Sequence, residues 1–374
     1  MQEAGWSKAR VRAALRSARK EDLRFDRGEV LGSMCTAPDP LAAEAFGDFL
    51  ETNLGDPAHF PGTARLEKEV LGDLVQTLGG GARAEGRLLS GGTEANLLAC
   101  YVAREATGRS RIVVPDSAHF SFEKAARMLR MELVTVPTRD HRADPEATAA
   151  AIDGDTALVV AIAGTTELGL VDPVPAMARV CRDRKVRLHV DAAFGGYLLP
   201  FMPGAPRFDL RVPGVTSVAT DPHKVGLAPI PAGALVLRDG RDWERTAVPS
   251  PYVSTPSQSI LVGTRPGAAA AAAWAAHRHL GRRGYARNAA TCLQNARRLA
   301  DGLRRLGFTL VAEPELTVVT FQAKDPRRLA ERMRARGFGL NVVPRFQAIR
   351  IVVNPHVTRA VVDRFLGALA KEAR

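Results

Sequence analysis

The sequence predicts an α/β fold in two parts: a large domain built on a mostly parallel sheet with helices on both faces, then a small C-terminal α+β domain. Three observations predict it. Between residues 86 and 237 short apolar runs alternate with helical stretches, the order that gives parallel strands joined by crossover helices. One of the runs, 157–163, is continuously apolar, as strands buried on both faces are, and 186–190, with Val186, Leu188 and Val190, reads as another buried parallel strand. Ser90, His119, Thr165, Asp191 and Lys224 each fall just after a strand, where ligands bind in open parallel sheets. With 374 residues the chain exceeds one typical domain. The expected division is an N-terminal helical segment over 1–50, a large domain over 51–264 and a small domain over 265–374.

Val11, Leu15 and Leu23 lie at helical spacing within a charged first segment that could pack on a partner subunit. Gly, Ser, Thr and Pro over 31–40 read as loop, and 41–51 as helix. Turns around Asn53–Pro57 and His59–Thr63 precede a helix over 66–78, which Gly79, Gly80 and Gly81 end. A strand at 86–90 then runs through Ser90-Gly91-Gly92-Thr93-Glu94-Ala95-Asn96 into a helix over 97–107. Strands follow at 112–114, 133–136, 157–163, 186–190, 215–219 and 234–237, with helices at 122–131, 145–152 and 174–184. Pro, Ser and Thr dominate 249–264, a mobile loop or linker carrying Tyr252. Two helices, 267–280 and 286–306, open the small domain, followed by strands at 316–322 and 348–353, a helix at 326–336 and a last helix from Val357.

Apolar residues make up 46% and charged residues 25%, a soluble globular balance. No apolar run reaches membrane-spanning length and the first residues lack a hydrophobic signal core, so a cytoplasmic protein is expected. Cys35, Cys100, Cys181 and Cys292 show no paired spacing, which points to reduced thiols rather than disulfides or a metal site. The net charge of +12 fits an Arg-rich surface, attraction of an acidic substrate or protein partner, or nucleic-acid binding. Scattered arginines and 6% aromatic residues disfavour the last.

Only 8 of the 52 basic residues are lysines, and Lys224 is the one lysine between Lys185 and Lys324. It follows Thr220-Asp221-Pro222-His223. A lysine amine freed of its proton by burial and nearby charge can form a Schiff base, which a guanidinium cannot. Asp191 stands at the carboxyl end of the 186–190 strand, followed by Ala192, Ala193, Phe194, Gly195 and Gly196. An acid to protonate a pyridine nitrogen, small residues beside a flat ring and a lysine downstream are what a pyridoxal 5'-phosphate site needs. Gly91 and Gly92 let backbone approach a phosphate at a helix start, with Thr93 as a hydroxyl donor. His119 could stack on the ring or cap a helix. Thr165 offers a hydroxyl in the same crevice, or only a turn. Tyr252 could donate a proton, and Arg350, amid apolar neighbours, could take a carboxylate.

These residues resemble a known family. Ser-Gly-Gly-Thr-Glu-Ala-Asn (90–96), Ala-His-Phe-Ser-Phe-Glu-Lys (118–124), Ala-Gly-Thr-Thr-Glu-Leu-Gly (163–169), His-Val-Asp-Ala-Ala-Phe-Gly-Gly (189–196), Asp-Pro-His-Lys (221–224) and Arg-Ile-Val-Val-Asn-Pro-His (350–356) are similar to group II pyridoxal phosphate-dependent amino-acid decarboxylases. These have the fold type I, aspartate aminotransferase-like architecture, and the likeness is to the archaeal-type tyrosine/aspartate decarboxylases. The resemblance implies that Lys224 tethers the cofactor, His119 stacks on it, Asp191 meets its pyridine nitrogen and Ala193 packs beneath. Gly92, Thr93 and His223 would hold the phosphate. Val262 to Gly267, with Thr264, is similar to a segment that reaches the neighbouring subunit's phosphate, implying a homodimer with a shared site. Arg350 would bind a substrate carboxylate; Tyr252 matches a family loop tyrosine loosely.

The expected activity is α-decarboxylation of an acidic amino acid, aspartate or a substituted aspartate, free or borne on an acidic carrier protein. Alternatives are tyrosine decarboxylation, or another fold type I reaction such as a lyase or a cysteine desulfurase recruiting Cys35. Neither a metal, a membrane nor a nucleic acid is expected as partner.

Overall fold

The computed structural model describes Met1 and residues 3–372. Seven strands form the central sheet: β1 (Glu85–Leu89), β2 (Arg111–Pro115), β3 (Glu132–Val136), β4 (Thr156–Ile162), β5 (Arg187–Asp191), β6 (Val215–Thr220) and β7 (Gly233–Leu237), in the order β1-β7-β6-β5-β4-β2-β3. Pairs from β6 across to β3 are parallel, whereas β7 is antiparallel to both β6 and β1. All seven residues of β4 are buried, so it has no face to give to water and lies inside the sheet. Its neighbour β5 carries polar residues inward: His189 and Asp191 share one face, two positions apart.

Ten helices surround this sheet and its smaller companion: α1 (Lys8–Glu21), α2 (Pro40–Asp48), α3 (Pro61–Thr77), α4 (Gly92–Thr107), α5 (Ser121–Leu129), α6 (Pro145–Ala151), α7 (Val174–Asp183), α8 (Gly267–Arg305), α9 (Pro326–Ala335) and α10 (Arg359–Ala370). Local chemistry sets several starts. Asp39 accepts from the Leu41 and Ala42 amides with Pro40 in the first turn, and Asp144, Asp325 and Thr358 cap α6, α9 and α10 likewise. The end of α4 is fixed by Gly108 at φ 68°, a left-handed position that glycine adopts without strain.

The small domain holds a three-stranded antiparallel sheet of β8 (Val318–Gln322), β9 (Asn341–Val343) and β10 (Ala348–Val352), with β10 central. The two helices expected here are present: α8 is a pair that meets at a kink at Gly281, whose φ of 53° and ψ of 180° are not helical. Its first half packs in the large core with Ala269, Ala270 and Ala273, and its second half in the small core with Ala296, Leu299 and Leu303. A boundary at residue 265 therefore falls ahead of a helix pair whose first member packs in the large core and whose second packs in the small one. Leu31 also packs in the small core, so the chain before residue 40 is a strap across that domain. Helix α1 has no buried residue, and no helix of the described residues is long and apolar enough to cross a membrane.

Candidate active site

A cavity of about 360 Å³ opens at the carboxyl ends of the parallel strands. It is lined by Gly91, Gly92 and Thr93, by His119, by Asp191 and Ala193, and by Asp221, His223 and Lys224. The turn from β1 into α4 is held by Glu94, whose Oε2 accepts from both the amide and the hydroxyl of Ser90 at 2.7 Å. That leaves the first amides of a 16-residue helix facing the cavity, a site suited to an anion. Gly92 has no room for a side chain, since a Cβ there would lie 3.0 Å from the Ala193 Cβ and 3.1 Å from Asp221 Oδ2.

His223 closes the anion end. Its Nδ1 accepts from the Ala232 amide at 3.1 Å, so in the neutral ring Nε2 carries the proton and can donate. Burial pushes its pKa down, keeping it neutral despite Asp221. His119, at the start of α5, is likewise pushed down by burial, and its Nδ1 accepts from the Ser121 amide at 3.3 Å. At the opposite end Asp191 receives two hydrogen bonds, Asn96 Nδ2 to Oδ2 at 2.8 Å and the Ala193 amide to Oδ1 at 3.1 Å.

Lys224 departs from its expected charge state. Burial acts to strip its proton, yet Asp221 with Oδ2 at 3.0 Å, joined by Asp191, outweighs it and raises the pKa above the ordinary lysine value. A carboxylate this close in a dry site favours the ammonium more than burial disfavours it. Asp221 was legible only as part of the Asp-Pro-His-Lys run. Its second oxygen, Oδ1, is buried with no protein partner.

Other candidates fall elsewhere. The Thr165 hydroxyl accepts from the Leu170 amide at 3.0 Å, stapling its own turn, and the neighbouring Thr166 and Gly164 line the cavity instead. Arg350 is 7% exposed; it donates to the Thr166 and Gly32 carbonyls, both at 2.8 Å, while Nε has no partner. Tyr252 is 88% exposed on a loop outside this cavity, and Thr264 is exposed beside it. The strap brings Met34 to the cavity wall. Cys35 lies near enough to Lys224 for each to feel the other's charge, and burial raises its thiol pKa. Asn96, within a motif noted for its glycines, was missed.

Pyridoxal phosphate fits this donor set. The helix start, Thr93 and the neutral His223 suit its phosphate, the glycine-lined wall admits a flat ring, Asp191 suits a protonated ring nitrogen, and Lys224 supplies the amine. Such a constellation can labilise a bond at an amino-acid α-carbon.

Residues 33–324 match the family described as the pyridoxal-dependent decarboxylase conserved domain. The chain is 44% identical over 356 residues to the "Probable L-tyrosine/L-aspartate decarboxylase" of Methanothermobacter thermautotrophicus, covering 93% of this chain and 98% of that protein. It is 40% identical over 375 residues to the "L-aspartate/L-glutamate decarboxylase" of Pyrococcus horikoshii, covering 98% and 97%. A solved sphingosine-1-phosphate lyase of Burkholderia pseudomallei K96243 superposes with a TM-score of 0.90 at 29% identity, covering all of this chain and 92% of that one.

Proposed function

The chain belongs to the pyridoxal-dependent amino-acid decarboxylases of archaeal type, an enzyme family that uses pyridoxal 5'-phosphate, and from that premise we propose that it removes the α-carboxylate of an acidic L-amino acid, aspartate above all. The observation that carries this reading is the convergence of Asp191, Lys224 and the α4 start on one cavity. Aspartate is the substrate common to the names of the two relatives above.

Pyridoxal phosphate, when bound, supplies a sink for the electron pair left behind as CO₂ departs. The residues do the rest. The Gly92 and Thr93 amides, with the helix dipole and His223 Nε2–H, hold the phosphate. Asp191 would keep a proton on the ring nitrogen, Ala193 would pack beneath the ring and His119 would stack on it. Lys224 provides the tethering amine and takes up and returns protons near the α-carbon. Arg350, with an unpartnered Nε among apolar neighbours, would hold a substrate carboxylate.

The enzyme is read as a cytoplasmic homodimer, in which the 249–264 loop delivers Tyr252 and Thr264 to the neighbouring subunit's cavity. The exposure of Tyr252, which does not line its own subunit's cavity, supports that assignment. With a net charge of +12, docking of an acidic carrier protein bearing an aspartyl unit is a further element of the proposal. Incubation with a panel of amino acids, following CO₂ and amine, tests the reading. Aspartate turning over faster than tyrosine and glutamate is the expected result; tyrosine turning over fastest would overturn the substrate assignment. Equal rates on free and carrier-borne aspartate would remove the carrier.

A further inference from the structure

Behind Asp191 runs a chain of buried polar side chains that the fold does not require. Asn96 on α4 donates one Nδ2 hydrogen to Asp191 Oδ2 at 2.8 Å and the other to Ser121 Oγ at 2.9 Å. Its Oδ1 meets His189 Nε2 at 3.0 Å, and His189 Nδ1 meets Ser217 Oγ at 2.9 Å. None of Asn96, Ser121, His189 and Ser217 is more than 4% exposed.

The chemistry of the donors fixes every direction in this chain. A carboxylate only accepts, so the amide nitrogen of Asn96 must face Asp191, and its oxygen must face His189. His189 then carries its proton on Nε2, leaving Nδ1 to accept from the Ser217 hydroxyl. Burial keeps the ring neutral, with its pKa pushed down to about 4. A reversed amide would set two acceptors against each other and two donors at the imidazole.

We propose that Asn96 is a positioning residue that fixes the Asp191 carboxylate toward the cavity, and that His189 and Ser217 lock Asn96 in the one orientation that can do so. This rests on the reading of Asp191 as the partner of the ring nitrogen. Both bonds at Asp191 then serve alignment: the Ala193 amide holds Oδ1 and Asn96 holds Oδ2. A rigid carboxylate at the ring nitrogen is worth more than a mobile one, because its orientation is prepaid when the α-carbon bond breaks.

Five variants test it by titration of the cofactor-free protein with pyridoxal phosphate and by the pH profile of CO₂ release. Asn96→Leu keeps the shape and loses the bond; cofactor affinity and kcat should each fall about 10- to 100-fold, the usual scale for a charge-assisted hydrogen bond, with KM within about threefold. Asn96→Asp is isosteric and puts a carboxyl against a carboxylate, which can share a proton at low pH and repel when it is lost. Its activity relative to wild type should therefore fall as pH rises, a signature that simple loss of stability would not give. His189→Gln, which keeps an N–H donor, should recover most of what His189→Leu loses. The proposal is overturned if folded Asn96→Leu binds cofactor and turns over as wild type does, or if the Asn96→Asp ratio is flat with pH; should Asn96→Leu fail to fold, the Asp variant decides. Asp191→Asn separates the two claims. If it retains wild-type affinity and turnover, the reading of Asp191 fails; if it is impaired while the Asn96 variants are not, only the positioning claim fails.

Discussion

Gly92→Ala separates folding from cofactor binding at a single atom. The added methyl would meet the Ala193 Cβ at 3.0 Å and Asp221 Oδ2 at 3.1 Å, contacts that require both neighbours to yield by a few tenths of an ångström. Neither yields freely, because Ala193 is held at the end of β5 and Asp221 is paired with Lys224 at 3.0 Å. Overpacking of this size costs about 1–3 kcal/mol. Replacing glycine by alanine in the first turn of α4 offsets up to about 1 kcal/mol of that through helix propensity. The net loss, about 2 kcal/mol or less, lowers Tm by only a few degrees in a chain of this length. Phosphate binding suffers more, since a methyl on this wall keeps the anion from the backbone amide. Losing one charge-assisted hydrogen bond, about 1.5–3 kcal/mol, corresponds to roughly 10- to 100-fold in affinity. Absorbance titration of cofactor-free protein, beside a thermal melt, reads both quantities. A variant that melts near wild type and binds pyridoxal phosphate within threefold of it would refute the assignment of the α4 start to the phosphate.

Asp221→Asn removes the carboxylate that outweighs burial at Lys224, so the amine sheds its proton at lower pH; borohydride-trapped cofactor should accumulate faster at neutral pH, and an unchanged pH profile would contradict this. His189 is neutral when folded, pushed down to about 4 by burial, and titrates near 6.5 unfolded, so the unfolded chain binds the proton first. Stability should therefore fall as pH drops from about 6.5 to about 4, by on the order of 3 kcal/mol. Asp172, pushed up to about 6 by burial, works oppositely, losing stability as pH rises through that same window. Urea unfolding of wild type against His189→Gln at pH 4.5 and 7 isolates the histidine, and equal acid losses in both would exclude it. Leu188→Ala, at a fully buried position of β5 between Val159 and Val215, should cost about 2–5 kcal/mol in the same assay.

Much of the large domain was legible because its strands are short, apolar and separated by helical stretches, and β4 shows this in its purest form. The antiparallel placement of β7 between β1 and β6 carries no such mark, since neither strand direction nor order is written in hydrophobicity. The break between the helices expected at 267–280 and 286–306 was legible too, and it falls at Gly281, where φ 53° and ψ 180° interrupt the helix. Lys224, Asp191 and His223 announced themselves by residue type at strand ends. Asp221 did not, because the charge of Lys224 depends on a 3.0 Å distance that spacing alone does not give. Asn96 and His189 had a fainter signal: a histidine two positions before Asp191 in a buried strand must face the same way and find a partner. Thr165 was open to two readings, because a hydroxyl after a strand serves a turn as readily as a ligand, and its bond from the Leu170 amide is of the turn kind.

The account turns on Lys224 as the tethering amine, and Lys224→Ala tests it most directly. Wild-type protein reduced with borohydride in the presence of pyridoxal phosphate should retain the cofactor covalently on the peptide containing residue 224, and release CO₂ from its substrate before reduction. The alanine variant, folded as judged by its thermal melt, should retain no label and release no CO₂. Covalent label at another residue, or undiminished CO₂ release by the variant, would contradict the account.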